Sequence, residues 1–285
     1  MPKRYFSFTE LVCPDSKIPR VDGSWEGVDR KARALTLFGG DTKSLDPLSE
    51  FERLESLWVG SVKDKKASPI WALSSLNELT LRDCPISSLQ GVSQLTGLTK
   101  LILWGGTKLN TLEGLEKLTS LETLILEHIP KVHSLEVLSQ LPQLKRLVIH
   151  SSSSSDKHLL FDSFEPLSHL PSLEVLDLAG VVSADGSLFS LGKLQTLKQL
   201  YLGNLFSIEE VARLAGCFPH LDAECLEPYS AGQGGLGAMK CKKCRTSQIM
   251  LNGKRGKKSR LFVCPKCQAD VVAEHVALFR ELQTA

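Results

Sequence analysis

One leucine pattern returns along most of the chain. The motif LxxLxL, or a close variant, recurs with its middle apolar residue at Leu35, Leu57, Leu79, Leu101, Leu124, Leu147, Leu176 and Leu200. The successive spacings are 22, 22, 22, 23, 23, 29 and 24 residues. A unit of this length cannot bury its own leucines, so it must stack on its neighbours. The pattern therefore predicts an α/β repeat solenoid of about eight repeats.

Each repeat contains a short strand followed by a return segment. In the strand, the leucines point toward the core, and the residues between them point to the opposite face. Between strands, apolar residues follow at threefold or fourfold spacing, as in Leu89, Val92, Leu95 and Leu98, which is typical of a helical or 3₁₀ return. The sequence thus predicts that the strands line one side of the solenoid.

These units resemble leucine-rich repeats of the short bacterial class and of phosphatase regulators with the 22-residue period, over about residues 32–226. The resemblance implies a horseshoe with a parallel sheet on its concave side. It also implies a partner-binding role, because leucine-rich-repeat inhibitors of nucleases and phosphatases occlude enzymes. Repeats of this type bind many unrelated partners, so the fold alone does not identify the partner.

The predicted boundaries divide the chain into four parts. We expect an N-terminal cap at 1–31, a solenoid at 32–229, a glycine-rich linker at 230–238, and a zinc ribbon with a C-terminal helix at 239–285. The linker has few side chains that can pack, so independent movement of the ribbon is the expectation. The serine-rich stretch at 151–157 directly follows a predicted strand and is interpreted as a projecting loop.

The concave face carries the predicted partner-binding site. Strand alternation places an apolar stripe there, flanked by charged side chains, and exposed apolar area of this kind is typical of protein-binding surfaces. Alternatively, these are simply good strand residues on an open sheet. The candidate residues are Trp58, Arg82, Lys100, Ile102, Trp104, Ile125, Glu127, Val148, His150 and Tyr201.

Four of the eight cysteines form two CxxC pairs: Cys241 with Cys244, and Cys264 with Cys267. Nineteen residues separate the pairs, and two alternating runs around Asn252-Gly253 predict a β-hairpin between them. This spacing resembles that of zinc ribbons. Four thiolates complete a closed tetrahedral shell, which predicts one structural Zn²⁺ per chain rather than a catalytic metal. A redox role for either pair is the weaker alternative, because no βαβ context surrounds it.

Charge is divided unevenly along the chain. Residues 1–230 carry 23 Lys and Arg against 29 Asp and Glu, whereas residues 231–285 carry 11 against 3. The basic hairpin suggests contact with nucleic acid or an acidic protein, although a solvated turn would have the same composition. The candidate nucleic-acid-binding residues are Lys242, Lys243, Lys254, Arg255, Lys257, Lys258 and Arg260.

No catalytic constellation is present in the sequence. Phosphate-binding, serine-hydrolase and zinc-protease motifs are all missing, and the histidines do not recur at ligand spacing. We therefore expect a non-enzymatic protein without a small-molecule substrate. No run approaches the roughly 18 to 20 uncharged apolar residues that span a bilayer, and the N-terminus lacks an apolar stretch followed by a cleavage site, so we expect a cytoplasmic protein that contacts no membrane. Its predicted role is that of an adaptor, an inhibitor or an immunity or defence subunit that binds a protein. The alternatives are a nucleic-acid-binding factor that uses the ribbon, with the solenoid as recruiter, and a scaffold in a larger assembly.

Overall fold

The computed structural model describes residues 17–151, 157–231, 239–253 and 262–285. Its repeat region contains eleven strands, which in chain order are β1 Arg20–Asp22, β2 Ala34–Phe38, β3 Ser56–Gly60, β4 Glu78–Arg82, β5 Lys100–Trp104, β6 Thr123–Glu127, β7 Arg146–His150, β8 Leu159–Phe161, β9 Val175–Leu178, β10 Val181–Ser183 and β11 Gln199–Leu202. Within the described ranges, nine of them form one parallel sheet in the order β1-β2-β3-β4-β5-β6-β7-β9-β11. β8 and β10 pair separately, also in parallel.

The register of the main sheet follows the leucine period. Leu35 lies opposite Leu57, and the middle leucine of each later motif lies opposite the next as far as Leu200. The leucines on the inner side form one continuous buried core. The predicted repeat solenoid with a parallel sheet is confirmed.

The return segments consist mostly of 3₁₀ turns. They are Asp46–Glu50, Asp64–Lys66, Val92–Gln94, Leu115–Lys117, Glu136–Gln140, Glu165–His169 and Phe189–Lys193, with the one-turn helix α1 at Ser68–Trp71. A repeat of about 22 residues leaves room only for short turns between its strands. Leu89, Val92, Leu95 and Leu98 are all buried there, as their spacing predicts.

The N-terminal end of the core is covered by residues outside the repeat pattern. β1 extends the sheet by pairing with β2. Trp25 packs against the core, and its indole Nε1 donates a hydrogen bond to the Ser44 carbonyl at 2.9 Å. The Arg30 guanidinium lies over the rings of Trp25 and Phe51, at 5.6 and 5.2 Å from their centroids. The described part of the predicted cap thus covers the first repeat, while residues 1–16 lie outside the described residues.

A second group of elements covers the C-terminal end. Helix α2 at Ile208–Cys217 follows β11, a 3₁₀ turn spans Glu224–Leu226, and strands β12 Tyr229–Ser230, β13 Ile249–Leu251 and β14 Phe262–Val263 form an antiparallel sheet, followed by helix α3 at Ala269–Thr284. Ser207 caps α2, because its hydroxyl accepts a hydrogen bond from the Glu210 amide. The predicted hairpin is confirmed for β13 and β14.

Helix α3 joins the C-terminal elements to the leucine core. It packs along α2, and Phe279 of α3 is 0% exposed within the same core cluster as the repeats. Gly216 permits this approach, since a Cβ there would lie 2.5 Å from the Gln283 carbonyl oxygen. The glycine-rich segment predicts independent movement of the C-terminal module, and the contacts show instead a module packed on the last repeat.

Hydrogen bonds tie the hairpin to the end of the solenoid. The Asn204 side chain donates to the Leu251 carbonyl at 2.8 Å and accepts from the Gly253 amide at 3.0 Å. Asn252 is buried and donates to the carbonyls of Glu224 and Glu227. Buried amide groups with every partner in place fix the position of a turn. Searching the described helices for a segment long and apolar enough to cross a membrane finds none.

Candidate functional site

The concave face is arranged in three columns of side chains. At the carboxyl ends of the strands, Arg82, Trp104, Glu127 and His150 lie side by side in register. At the amino ends, Lys100 and Arg146 flank Thr123. Between these columns lies the middle column, in which Ile102, Ile125 and Val148 are neighbours. Adjacent strands are only about 4.8 Å apart, so neighbouring side chains in a column touch.

The apolar residues at the centre of the middle column are buried, which corrects their expected exposure. Ile102, Ile125 and Val148 are 2, 6 and 2% exposed and form a small apolar cluster of their own, separate from the leucine core. Longer side chains stand in the columns on both sides, among them Lys100 and Trp104, which are half-buried. Alternation predicts the face of a side chain but not whether its neighbours cover it. The part played by the three residues in binding stays a prediction.

Trp58 is also buried, contrary to the expectation that it is exposed. Its ring lies 5.1 Å from that of Phe38, whose other neighbour is the Arg20 guanidinium at 4.2 Å. The ring also covers Gly60, where an added Cβ would approach Trp58 to 3.0 Å. The glycine thus makes room for the indole, and Trp58 belongs to an aromatic cluster at the N-terminal end of the concave face.

Trp104 stands near the middle of the sheet and remains half-buried. The guanidinium of Arg82 lies 4.7 Å from the centre of its ring and 3.4 Å from the Asp83 carboxylate. Lys100 pairs with Glu78 at 3.4 Å. An aromatic side chain that keeps exposed area among charged groups is a typical anchor in a protein interface. Tyr201 is half-buried near the far end of the same face.

Glu127 lies buried between Trp104 and His150. Burial raises the pKa of Glu127 to about 7; Asp83 adds to the rise, whereas His150 and Arg82 oppose it. His150 itself lies 2.9 Å from a carboxylate oxygen of Asp177. The sequence predicts that Glu127 is one of the exposed charged side chains flanking the apolar stripe. The structure corrects this, because Glu127 is almost fully buried.

The four predicted ligand cysteines come together at the C-terminal module. The sulfurs of Cys241, Cys244, Cys264 and Cys267 all lie within 4.8 Å of one another, with 3.9 Å between Cys241 and Cys267 and 3.4 Å between Cys244 and Cys264. Sulfurs bound tetrahedrally at a Zn–S distance of about 2.3 Å would be about 3.8 Å apart. The cluster therefore fits a tetrahedral metal ion, and it could hold one.

The ionisation of these thiols is unequal without a cation. Hydrogen bonding with the Thr246 side chain and backbone lowers the pKa of Cys244 to about 6. The neighbouring Cys244 sulfur raises the pKa of Cys267 to about 12. Four thiolates at this distance repel one another, so all four become ionised only when a cation balances their charge. The donor set thus favours a metal that prefers sulfur.

Solved structures of other proteins share the repeat architecture. An internalin (inlF) from Listeria monocytogenes superposes with a TM-score of 0.56 at 23% identity, over 68% of this chain and 54% of that one. An internalin C2 from the same species gives 0.50 at 20% identity over 59% and 70%, and a leucine-rich-repeat protein of Leptospira interrogans gives 0.50 at 21% over 64% and 46%. The fold is that of a leucine-rich-repeat protein. No protein-family model matches the sequence, and a search of curated proteins finds no match.

The likeness between this leucine-rich-repeat chain and the internalins concerns the fold alone. The chain spans about half the length of inlF, at 54%. The resemblance stated from the sequence is supported at the level of the leucine-rich repeat, and the narrower bacterial or phosphatase-regulator class stays a prediction.

A cavity that the sequence does not predict lies where the last repeat meets the C-terminal module. Its volume is about 520 Å³. The repeat contributes Asp177, Gln199 and Tyr201 to its lining, and the C-terminal elements contribute Glu224 and Asn252. The two sides are far apart in the chain, so no local pattern could indicate that they meet.

The structure describes only two of the seven candidate nucleic-acid-binding residues. Lys242 and Lys243 are exposed beside the cysteine cluster. Lys254, Arg255, Lys257, Lys258 and Arg260 lie outside the described residues, as do most of the serine-rich stretch and most of the linker. The nucleic-acid interface therefore stays a prediction.

Proposed function

We propose that this leucine-rich-repeat chain is a non-enzymatic protein-recognition module, an adaptor or inhibitor of the kind used in immunity or defence complexes. Its partner binds the concave face, centred on Trp104. The half-buried Trp104, surrounded by charged side chains on a rigid parallel sheet, carries this proposal. A leucine-rich-repeat fold supports it because such solenoids offer an extended concave surface.

The test combines capture of a partner with a matched pair of variants. The full chain, tagged at its N-terminus, is incubated with lysate of its native host, and the retained protein is identified by mass spectrometry. Trp104→Ala should then weaken binding of that protein by on the order of 2 kcal/mol or more, because a central aromatic anchor is lost. Circular dichroism should show the fold unchanged, since the leucine core lies on the other side of the sheet.

Lys117→Ala provides the control. Lys117 is exposed in a 3₁₀ return on the opposite side of the same region of the solenoid. It should bind the partner as the wild type does. Normal binding by Trp104→Ala, with loss of binding when the four-cysteine module is altered, would show that the concave face is not the recognition surface.

The four-cysteine cluster holds one structural Zn²⁺ in this proposal. The metal would link the two CxxC pairs and fix the positions of the hairpin and of helix α3, which follows the second pair. Elemental analysis of purified protein should give close to one equivalent of zinc per chain and no iron. Cys264→Ser should release the metal, because it removes one of four thiolates. A metal-free protein in which the C-terminal module remains fully folded would exclude the metal site.

A further inference from the structure

Glu127 is the most unusual charged group of the concave face. Its side chain is 5% exposed, and its Oε2 atom is buried without a hydrogen-bond partner. Strand alternation directs it to the concave side, in the position between Trp104 on β5 and His150 on β7, which we call the notch. A buried carboxylate oxygen without a hydrogen-bond partner is costly, and the attraction of His150 and Arg82 offsets this cost only in part, because the pKa of Glu127 stays raised.

The basic side chains that lower the pKa of Glu127, Arg82 and His150, each also contact a second carboxylate. The Arg82 guanidinium lies over the Trp104 ring and against Asp83. His150 faces the Asp177 carboxylate at 2.9 Å. Asp83 adds negative charge on the same side. The notch therefore combines an acidic group at its base, an aromatic wall and an excess of negative charge.

We propose that the notch at Glu127 receives a basic side chain, an arginine or a lysine, of the protein partner. This inference rests on the proposed function, because it assumes that a partner occupies the concave face. A guanidinium or ammonium group entering between Trp104 and His150 would supply the missing donor to Oε2. The Trp104 ring would contribute a cation–π contact, which is favourable within about 6 Å.

Binding of this kind is coupled to the ionisation of Glu127. The groups that face the carboxyl are Arg82 and Asp83 from β4 and its following turn and His150 from β7, with Asp177 of β9 behind His150. A cationic ligand needs the carboxylate form, so it must lower the pKa of Glu127 as it binds.

The test uses the full chain and two small probes. N-acetyl-arginine amide and its uncharged citrulline analogue are each added in excess at low ionic strength, and the Glu127 carboxyl carbon is titrated by ¹³C NMR. Its resonance is assigned by its loss in Glu127→Gln. The arginine probe should lower the pKa of Glu127 measurably and shift the Trp104 indole signal, whereas the citrulline probe should do neither. If the pKa of Glu127 is the same with the arginine probe as with the citrulline probe, the inference is wrong.

Variants of the full chain separate this inference from the proposed function. Glu127→Gln should weaken binding of the captured partner about tenfold, and the control Glu136→Gln, an exposed residue in the 3₁₀ return after β6, should not. Loss of the partner in Trp104→Ala but not in Glu127→Gln overturns the inference and supports the proposed function. If both variants still bind the captured partner, the proposed function is wrong. The arginine titration then tests by itself whether the notch binds a basic group.

Discussion

At the scale of single residues, exposure on the concave face depends on the neighbours of each side chain. Glu127, Ile125 and Val148 all point to the concave side, yet all three are buried. The pattern LxxLxL predicts the strand register and the inward leucines correctly, because both depend on the period alone. Burial on the outer face depends on which longer side chains lie in the adjacent strands, and this requires the curvature and spacing of the folded sheet.

The buried carboxyl of Glu127 should also make stability depend on pH. Its folded-state pKa is raised to about 7 by burial. Protonated Glu127 therefore contributes its full stabilisation to the folded state below its unfolded-state pKa. This contribution is lost as the pH rises through about 7. Between about pH 5 and pH 8 the wild type should lose about 2 kcal/mol of unfolding free energy relative to Glu127→Gln. Urea denaturation of both proteins across this range measures the difference, and parallel pH profiles would contradict it.

The cysteines outside the four-cysteine cluster differ in their burial. Burial raises the pKa of Cys84 to about 11 and that of Cys225 to about 12, so neither thiol is reactive near neutral pH. Isolated cysteines usually act as small apolar residues, and Cys84 and Cys225 fit that role. Cys217 is exposed and departs from it. Cys13 lies outside the described residues.

At the scale of elements, helix α3 shows what sequence periodicity can and cannot predict. The spacing of Val272, Val276, Phe279 and Leu282 predicts a helix, and the helix is present at Ala269–Thr284. Packing on either the ribbon or the last repeat is compatible with that spacing. The contact between α3 and α2 joins segments more than fifty residues apart, and no local pattern encodes it.

Phe279 should therefore contribute to the stability of the solenoid itself. Phe279→Ala removes a fully buried ring from the leucine core and should lower the unfolding free energy by about 3 to 5 kcal/mol, since it leaves a cavity. Chemical denaturation followed by circular dichroism measures this loss. Phe189→Ala is the matched control, because Phe189 is 78% exposed and its removal should change stability by less than about 0.5 kcal/mol. Equal effects of the two variants would mean that α3 does not seal the core.

At the scale of the whole molecule, the last repeat is closed by the C-terminal module. His275 is buried, and its Nε2 lies 2.9 Å from the Pro228 carbonyl oxygen, while Arg280 pairs with Glu227 at 3.0 Å. Terminal repeats of a solenoid expose apolar surface unless a cap covers them. Glycines between two modules suggest freedom of movement, but the contacts on either side of the glycine-rich segment determine the arrangement.

Removing the module should consequently destabilise the repeats. A chain that ends at Ala231 loses Phe279 and strand β13, which pairs with β12. It should melt at a lower temperature than the full chain and bind a hydrophobic dye, because the core at the last repeat is open. Differential scanning calorimetry and dye fluorescence measure these changes. A truncated chain that melts like the full protein would show that the solenoid is complete without its C-terminal module.

Packing of α3 against α2 also has a consequence for biosynthesis. A ribosome releases the repeats first, and the helix that covers their open end emerges after them. Until then the nascent solenoid presents uncovered leucines at its growing end, where chaperones bind most readily. With the proposed zinc in the cysteine cluster, closure of that end also requires the metal. A shortage of zinc would then leave the open end of newly made chains uncovered for longer.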